Sequence, residues 1–259
     1  MSAPLAALVA LERDVLHVLF LMVRPGAALM AAPVFGAMGV PVQVRLLFGA
    51  ALAVYVAVWL PVAPLADPLS LAGAAAVAAE VALGLAIGFS LQLAFAAPAL
   101  AAELVAGSMG MAMASAVDPA TGGQAGALAQ FHGLVLALVF LGLDAHLIWL
   151  RLLLESFAAV PPGSGLAPDR AYALARFATT LFAAGATLAL PAALALLLVQ
   201  VATGVISRAA PALNLFALGL PAGVLVGLVA LIAGFSLFTE QLANLVGTAL
   251  AQAQEAAAR

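Results

Sequence analysis

The chain is 259 residues long, and 67% of them are hydrophobic while only 7% are charged. A soluble protein carries about a quarter charged residues, so this composition excludes a soluble globular domain and indicates an integral membrane protein. The net charge of -3 comes from 11 acidic and 8 basic residues, all of the latter arginine, which leaves no basic patch for nucleic acid. There is no cysteine, which excludes disulfides and thiolate metal sites.

Six apolar runs, separated by short segments rich in Pro and Gly, predict an all-α membrane protein with about six long, kinked helices in hairpins. The sequence lacks the alternating segments and aromatic girdles of an outer-membrane barrel. No basic region precedes the first apolar stretch, so we expect no cleaved signal peptide. The runs cover about 15–35, 42–62, 69–105, 127–155, 171–206 and 215–252.

Two of these runs are longer than a membrane span. About 20 helical residues cross the roughly 30 Å of hydrocarbon. As single helices, 69–105 and 171–206 would each be roughly 54 Å long. Pro98 and Pro191 offer kinks within them. We therefore expect these helices to bend sharply or to project beyond the bilayer against partner proteins.

Glycines spaced four residues apart occur at two places in the apolar runs. This spacing lets helix backbones approach closely, although in a chain with 23 glycines it also arises by chance. Both interpretations stay open for Gly219, Gly223 and Gly227. At the other place we expect helix packing that involves Gly84, Gly88, Phe89 and Gln92.

Polar side chains inside the apolar runs are costly in hydrocarbon and usually face a protein interior or a cavity. Glu80, Glu103, Gln92 and Gln200 are of this kind. They could form a proton or substrate path, or they could make interhelical bonds to neighbouring subunits. The small number of acids and the absence of a paired lysine favour interhelical bonding.

His132, Asp144 and His146 are the one group that resembles catalytic or metal chemistry. On a helix the two histidines lie about 21 Å apart along the axis, so they cannot share a metal without a second element. We expect these residues to mark a helix end or to make hydrogen bonds between subunits. No nucleotide-binding or hydrolase motif is present, and we predict no cofactor, no metal and no catalysis.

The segment 107–126 interrupts the apolar sequence with Gly, Ser, Met and one Asp-Pro pair, Asp118-Pro119. Non-helical backbone at membrane depth persists only where protein buries it or where it lines an aqueous cavity. The segment is therefore the place to expect a pore, a gate or a substrate site. Met109, Met111 and Met113 suit adaptable packing at a constriction, although ordinary hydrophobic filling explains them equally well.

The order of these features resembles the FliR family of flagellar biosynthesis proteins over roughly residues 10–250. The resemblance is carried by ordered blocks, of which the second to fourth are the most specific. They read RPGAALMAAPVFG at 24–36, GLAIGFSLQLAFAA at 84–97, MGMAMASAVDP at 109–119 and GVISRAAPALNLFALGLP at 204–221, with PPG at 161–163 between the last two.

The resemblance implies a non-enzymatic subunit of the flagellar type III export gate in the bacterial inner membrane, at the basal body. It implies assembly with FliP-like and FliQ-like membrane proteins and an FlhB-like partner at the entrance, in a helical channel for unfolded protein substrates. An injectisome subunit is the alternative, and a solute or ion carrier is a more distant one. The resemblance also implies a plug that closes the resting channel, formed by Met109, Gly110, Met111, Met113, Asp118 and Pro119.

We expect one export-gate domain over 1–259, with a first helical part at about 10–165 that contains the plug segment 107–126, and a helical hairpin at about 166–259. The block 204–221 should form a rigid connection between two helices, because prolines fix turn geometry there. We expect this tip to face the cytoplasm and to contact the entrance partner. Its residues are Arg208, Pro211, Asn214, Gly219 and Pro221.

Overall fold

The fold was analysed in a computed structural model that describes residues 3–37, 39–64, 70–110, 126–209 and 215–258. Within these ranges all regular secondary structure is helical and no strand occurs. The helices are α1 (Ala3–Ala31), α2 (Val42–Trp59), α3 (Leu71–Ser108), α4 (Ala127–Gly142), α5 (Ala145–Ala159), α6 (Pro168–Ala209), α7 (Leu215–Ala233) and α8 (Phe235–Ala257).

Helices α1, α2, α3 and α6 are each long and apolar enough to cross a membrane. Two further pairs, α4 with α5 and α7 with α8, pass the same test together but are bent at a short break. The described part of the chain therefore has four candidate spans, or up to six if each bent pair is one span. This confirms the predicted all-α integral membrane protein with about six long segments.

The bends divide two of the predicted apolar runs into two helices each. The run 127–155 bends by 68° between α4 and α5, where Asp144 adopts a left-handed backbone conformation with φ 54°. Aspartate tolerates this region better than most residues do, and it ends the preceding helix. The run 215–252 bends by 63° next to Gly234. Asp144 thus marks a helix end, as expected.

Helices α3 and α6 contain 38 and 42 residues, close to the predicted bounds. At 1.5 Å per residue they are about 57 and 63 Å long, roughly twice the hydrocarbon thickness of a bilayer. Pro98 lies inside α3 and Pro191 inside α6. Both prolines are thus accommodated within continuous helices, and the predicted excess of helix length is confirmed.

The chain forms two compact units, each assembled from separated segments. Unit 1 comprises Met1–Leu93, Asp144–Ala178 and Gly247–Arg259, and unit 2 comprises Ala94–Leu143 and Thr179–Val246. Both units take residues from either side of position 165. The division of the chain near residue 165 therefore stays a prediction.

Each unit has its own apolar core. In unit 1, α1 packs against α2, and the core gathers Phe20, Leu21, Ala53, Val56, Ala76 and Phe157. In unit 2 the core gathers Ala101 and Val105 of α3, Met109 directly after it, and Ala189, Ala192 and Leu196 of α6.

Candidate functional site

Unit 1 contains a buried ion pair between α1 and α3. The side chains of Arg24 and Glu80 are both completely inaccessible to solvent. The Nε atom of Arg24 donates to Oε2 of Glu80 at 2.8 Å, and its Nη2 atom donates to Oε1 at 2.9 Å. A bidentate arginine–carboxylate contact is among the strongest hydrogen-bonded pairs in proteins. It joins residues of α1 and α3 that are 56 positions apart in the sequence.

The remaining donors of Arg24 reach α5 and the residue that follows it. Nη1 donates to Oγ of Ser156 at 3.0 Å, and Nη2 donates to the carbonyl oxygen of Val160 at 3.0 Å. The guanidinium carbon also lies 4.1 Å from the ring centroid of Phe157, where a cation is attracted to the aromatic face. Arg24 therefore holds α1, α3 and the end of α5 together.

Glu80 also fixes the turn after α5. The backbone N–H of Gly163 donates to Oε1 of Glu80 at 2.9 Å. Gly163 has φ 85°, a conformation that favours glycine, and a Cβ atom added there would lie 3.2 Å from Cβ of Ala76. We name the set Arg24, Glu80, Ser156, Phe157, Val160 and Gly163 the arginine cluster.

The glycines at 84 and 88 bring the backbone of α3 into direct contact with α1. A Cβ atom added to Gly84 would overlap the carbonyl oxygen of Arg24, and one added to Gly88 would overlap that of Ala28. These glycines lie where helix packing was expected, one and two turns from Glu80. Phe89 and Gln92 do not share this role, because they are exposed and line an open groove of about 420 Å³ with residues 30–33 and 36–37.

Glu80 stood out in the sequence as an intramembrane acid, but its partner did not. The chain has no lysine to pair with it, and Arg24 stood out only as part of the block at 24–36. The usable signal was the position of Arg24 inside an apolar run, where an ionisable side chain requires a partner. Interhelical bonding was the favoured interpretation. The bond joins helices of one chain.

Unit 2 holds the described end of the predicted plug. Met109 is 3% exposed and packs on α7 at Gly223 and Gly227. A Cβ atom added to Gly227 would overlap the side chain of Met109, and one added to Gly223 would lie 3.2 Å from the Met109 carbonyl oxygen. We call these three residues the methionine seat. Met111, Met113, Asp118 and Pro119 lie outside the described residues.

Two hydrogen bonds fix the end of α3. Gln200 of α6 donates from Nε2 to the carbonyl oxygen of Ser108 at 2.9 Å. Gly110 then has φ 80° and its N–H bonds to the carbonyl oxygen of Gly107 at 3.1 Å, a left-handed glycine ending of the kind that commonly terminates helices. The chain therefore enters the segment after residue 110 from a fixed position in unit 2.

The predicted tip at 204–221 is only partly a connection. Arg208 is exposed in the last turn of α6, while Pro211 and Asn214 lie outside the described residues. Gly219 and Pro221 lie within α7, which begins at Leu215, so the expectation that Pro221 fixes a turn was wrong. In a membrane a helix satisfies its own backbone groups, and proline is tolerated within such helices. Helix α6 ends at Ala209 and α7 begins at Leu215.

His132 lies buried in α4 of unit 2, with Nδ1 3.1 Å from the carbonyl oxygen of Pro98 and its ring 4.5 Å from that of Phe238. His146 is half-buried on α5 of unit 1. Among the residues that the structure describes, no three His, Asp or Glu side chains are grouped so that they could hold a metal ion.

Replacing His132 with Gln should leave the stability of the protein largely intact, because the amide keeps a hydrogen-bond donor for the Pro98 carbonyl oxygen. His132→Phe keeps an aromatic ring but loses the donor, and should lower stability by about 0.5–1.5 kcal/mol through the lost hydrogen bond. Thermal melts of the two variants, together with metal analysis of purified protein, measure this. Stoichiometric zinc or iron would contradict the prediction.

Comparison with known proteins assigns the family. The sequence profile described as "Bacterial export proteins, family 1" matches residues 15–249. The flagellar biosynthetic protein FliR of Pectobacterium carotovorum subsp. carotovorum is 35% identical over 212 residues, which cover 81% of this chain and 80% of that protein. FliR of Escherichia coli (strain K12) is 34% identical over 135 residues, which cover 52% of each chain. The chain therefore belongs to family 1 of the bacterial export proteins, the family of FliR.

Proposed function

We propose that the protein is a non-enzymatic subunit of the protein-conducting export gate of the flagellar type III secretion system. The observation that carries the proposal is the family match over residues 15–249, which includes nearly all of the described helices. The related proteins from Pectobacterium and Escherichia are named as flagellar biosynthetic proteins, which favours a flagellar over an injectisome apparatus. Its place would be the inner membrane at the basal body.

The lengths of α3 and α6 support assembly with other proteins. A helix of about 63 Å is roughly twice as long as the hydrocarbon core, so lipid cannot cover all of it. Yet α6 exposes large apolar side chains along much of its length, including Leu194, Leu198 and Val205. Exposed apolar surface beyond the bilayer is unfavourable in water, which favours coverage by protein. FliP-like and FliQ-like membrane proteins are the partners that we propose.

We further propose that residues 107–126 plug the resting channel. The methionine seat supports this, because Met109 anchors the start of the segment on a surface made of glycine backbone. Methionine side chains adapt to irregular surfaces and could yield to a passing chain. Asp118 precedes a proline, which biases it away from helix and favours a bend in the segment.

Co-expression tests the proposed assembly. Because α6 alone exposes apolar surface that no bilayer can cover fully, we expect the isolated protein to be degraded or to aggregate. Co-expression with FliP-like and FliQ-like proteins should restore a monodisperse complex, measured by size-exclusion chromatography in mild detergent. An unrelated multi-pass membrane protein serves as the control partner. A monodisperse monomer that is stable without partners would contradict the proposal.

We also propose that Arg208 and Asn214 contact an FlhB-like entrance partner, and Arg208→Glu and Asn214→Leu test this contact. Arg208 is exposed at the end of α6, so reversing its charge should not disturb the core. We expect reduced export and motility from each variant while the complex stays assembled. Arg208→Lys keeps the charge and should behave like the wild type. Full motility of both test variants would remove this contact from the proposal.

A further inference from the structure

Helix α3 contains two acidic residues, and they differ in whether this chain supplies a counter-ion. Glu80 is paired with Arg24, whereas Glu103 is exposed and has no ion-pair or hydrogen-bond partner among the residues that the structure describes. We propose that Glu103 binds an arginine or lysine side chain from a helix of a partner subunit. The proposal rests on the export-gate assembly proposed above and names the chemistry of one of its contacts.

The packing of α3 directs Glu103 away from the core of unit 2. Ala101 and Ala102 are buried, and Ala101 and Val105 belong to that core. Glu103 lies two residues from each of these two core positions, so its side chain points to the opposite side of the helix. The next residue, Leu104, is 44% exposed. The carboxylate therefore lies beside an exposed apolar side chain, on a face of α3 that is open in the isolated chain.

An unpaired carboxylate is unfavourable in each environment that can cover this face. Helix α3 is a candidate membrane span, and an ionised acid in hydrocarbon is costly. Because α3 is about 57 Å long, part of it extends beyond the bilayer, where exposed apolar surface favours coverage by protein. Protein coverage also removes the carboxylate from water, and a buried charge needs an opposite charge. A glutamate that stayed in water would instead tolerate reversal of its charge.

The beginning of α4 supplies a partial positive charge near Glu103. The Oε1 atom of Glu103 lies 3.9 Å from the position that a Cβ atom would take at Gly126, the N-cap residue of α4. The N-terminus of a helix is equivalent to roughly half an elementary positive charge. No side-chain hydrogen bond caps this helix end. The helix end therefore favours the ionised carboxylate, which still lacks a counter-ion of full charge.

The sequence also limits where a counter-ion could come from. All eight basic residues of the chain are arginines. In the described ranges, the ion pairs are those of Arg24 with Glu80 and of Arg151 with Glu155. The segment 111–125, which follows α3 in the sequence, contains no arginine, lysine or histidine. These observations favour a partner side chain as the counter-ion of Glu103.

Charge reversal at position 103 tests the proposal in the complex co-expressed with FliP-like and FliQ-like proteins. Glu103→Lys places two positive charges at the contact, so the yield of purified complex should fall on the order of tenfold or more. Glu240→Lys makes the same change at another exposed glutamate, on α8, and should leave the yield unchanged. Arg259→Gln, which tests the last arginine of this chain as an internal counter-ion, should also leave the yield unchanged.

A compensating reversal in a partner separates a lost contact from misfolding. Each arginine and lysine within the apolar segments of the FliP-like and FliQ-like proteins is changed to glutamate in turn, together with Glu103→Lys in this chain. We expect one of these changes to restore the yield, because it rebuilds the ion pair with its charges exchanged.

A photo-crosslinking amino acid at position 107 locates the partner residue directly. Gly107 lies one turn after Glu103 on the same face, and a Cβ atom there meets no atom within 4 Å. The crosslinker therefore leaves Glu103 in place. We expect it to attach to a peptide that contains the basic residue identified by the compensating reversal.

Several results would overturn the proposal. A wild-type complex that assembles no better than Glu103→Lys would show that no partner charge faces Glu103. A yield that falls without being restored by any partner reversal, or that Arg259→Gln lowers equally, would place the cause within this chain. If the wild type does not assemble with these partners, the export-gate assembly is wrong. Crosslinks from position 107 in native membranes then decide about Glu103, and attachment to lipid or to a peptide without a basic residue would contradict the contact.

Discussion

Replacing Glu80 with Ala should remove most of the assembled protein from the membrane. Arg24 would then keep a completely buried positive charge with no counter-ion, and the N–H of Gly163 would lose its acceptor. Breaking a buried ion pair by removing one partner costs about 3–5 kcal/mol. That is a large part of the stability of a typical protein, so we expect degradation of the variant and loss of motility.

The exposed pair Arg151–Glu155 offers a matched control. The distance of 2.7 Å between Nε of Arg151 and Oε1 of Glu155 is similar to the distances in the buried pair. The two side chains, however, are 80% and 57% exposed. Exposed pairs contribute about 0–1 kcal/mol, so Glu155→Gln should assemble like the wild type. Quantitative blotting of membranes and thermal melts in detergent compare the variants. If Glu80→Ala assembles and melts like Glu155→Gln, the arginine cluster does not stabilise unit 1.

A double substitution separates the buried charge from the lost contacts. Arg24→Leu with Glu80→Leu leaves no uncompensated charge in the interior, and apolar replacements of buried pairs are often tolerated. We expect the double variant to accumulate better than Glu80→Ala. Gly84→Ala changes the same site without removing a charge. Its methyl group would overlap the Arg24 carbonyl oxygen and so separate α1 from α3.

The predictable part of this fold was the part that depends on local sequence. The continuous apolar runs predicted the bounds of α3 and α6 to within a few residues. In a membrane the backbone groups of an apolar segment must hydrogen-bond within that segment, so the helix extends as far as the apolar run does. Asp144 was expected to mark a helix end, but the bend there was not predicted, because 127–155 reads as one continuous apolar run. The turn expected at Pro221 was wrong, since proline marks turns in water but persists within membrane helices.

The arginine cluster could not be derived from spacing. Arg24 and Glu80 are separated by 56 residues, and Arg24 and Ser156 by 132. Only the packing of α1 on α3 brings them together, and that packing depends on Gly84, which allows the backbones to touch. The sequence has only 8 basic and 11 acidic residues, and two of them, Arg24 and Glu80, lie within apolar runs. Each of them needed a partner there.

Deleting residues 110–118 should let ions or small solutes leak through the assembled complex. The deletion removes Met111, Met113 and Asp118 but keeps Met109 on its seat, so α3 and α7 should remain in contact. If the segment closes the resting channel, its loss leaves an open path across the membrane. We expect slower growth and a higher conductance than the wild type when the two complexes are equally abundant.

Gly227→Ala approaches the same closure without removing any of the segment. Its methyl group would overlap Met109 and displace the anchor of the plug, so we expect a leak smaller than that of the deletion. Gly247→Ala is the control, because a Cβ atom there meets no atom within 4 Å. Single-channel recording and small-solute uptake compare the three complexes. A deletion complex that is assembled yet no leakier than the wild type would show that residues 107–126 do not plug the channel. A leak from Gly227→Ala, but not from Gly247→Ala, would tie that closure to the contact of Met109 with α7.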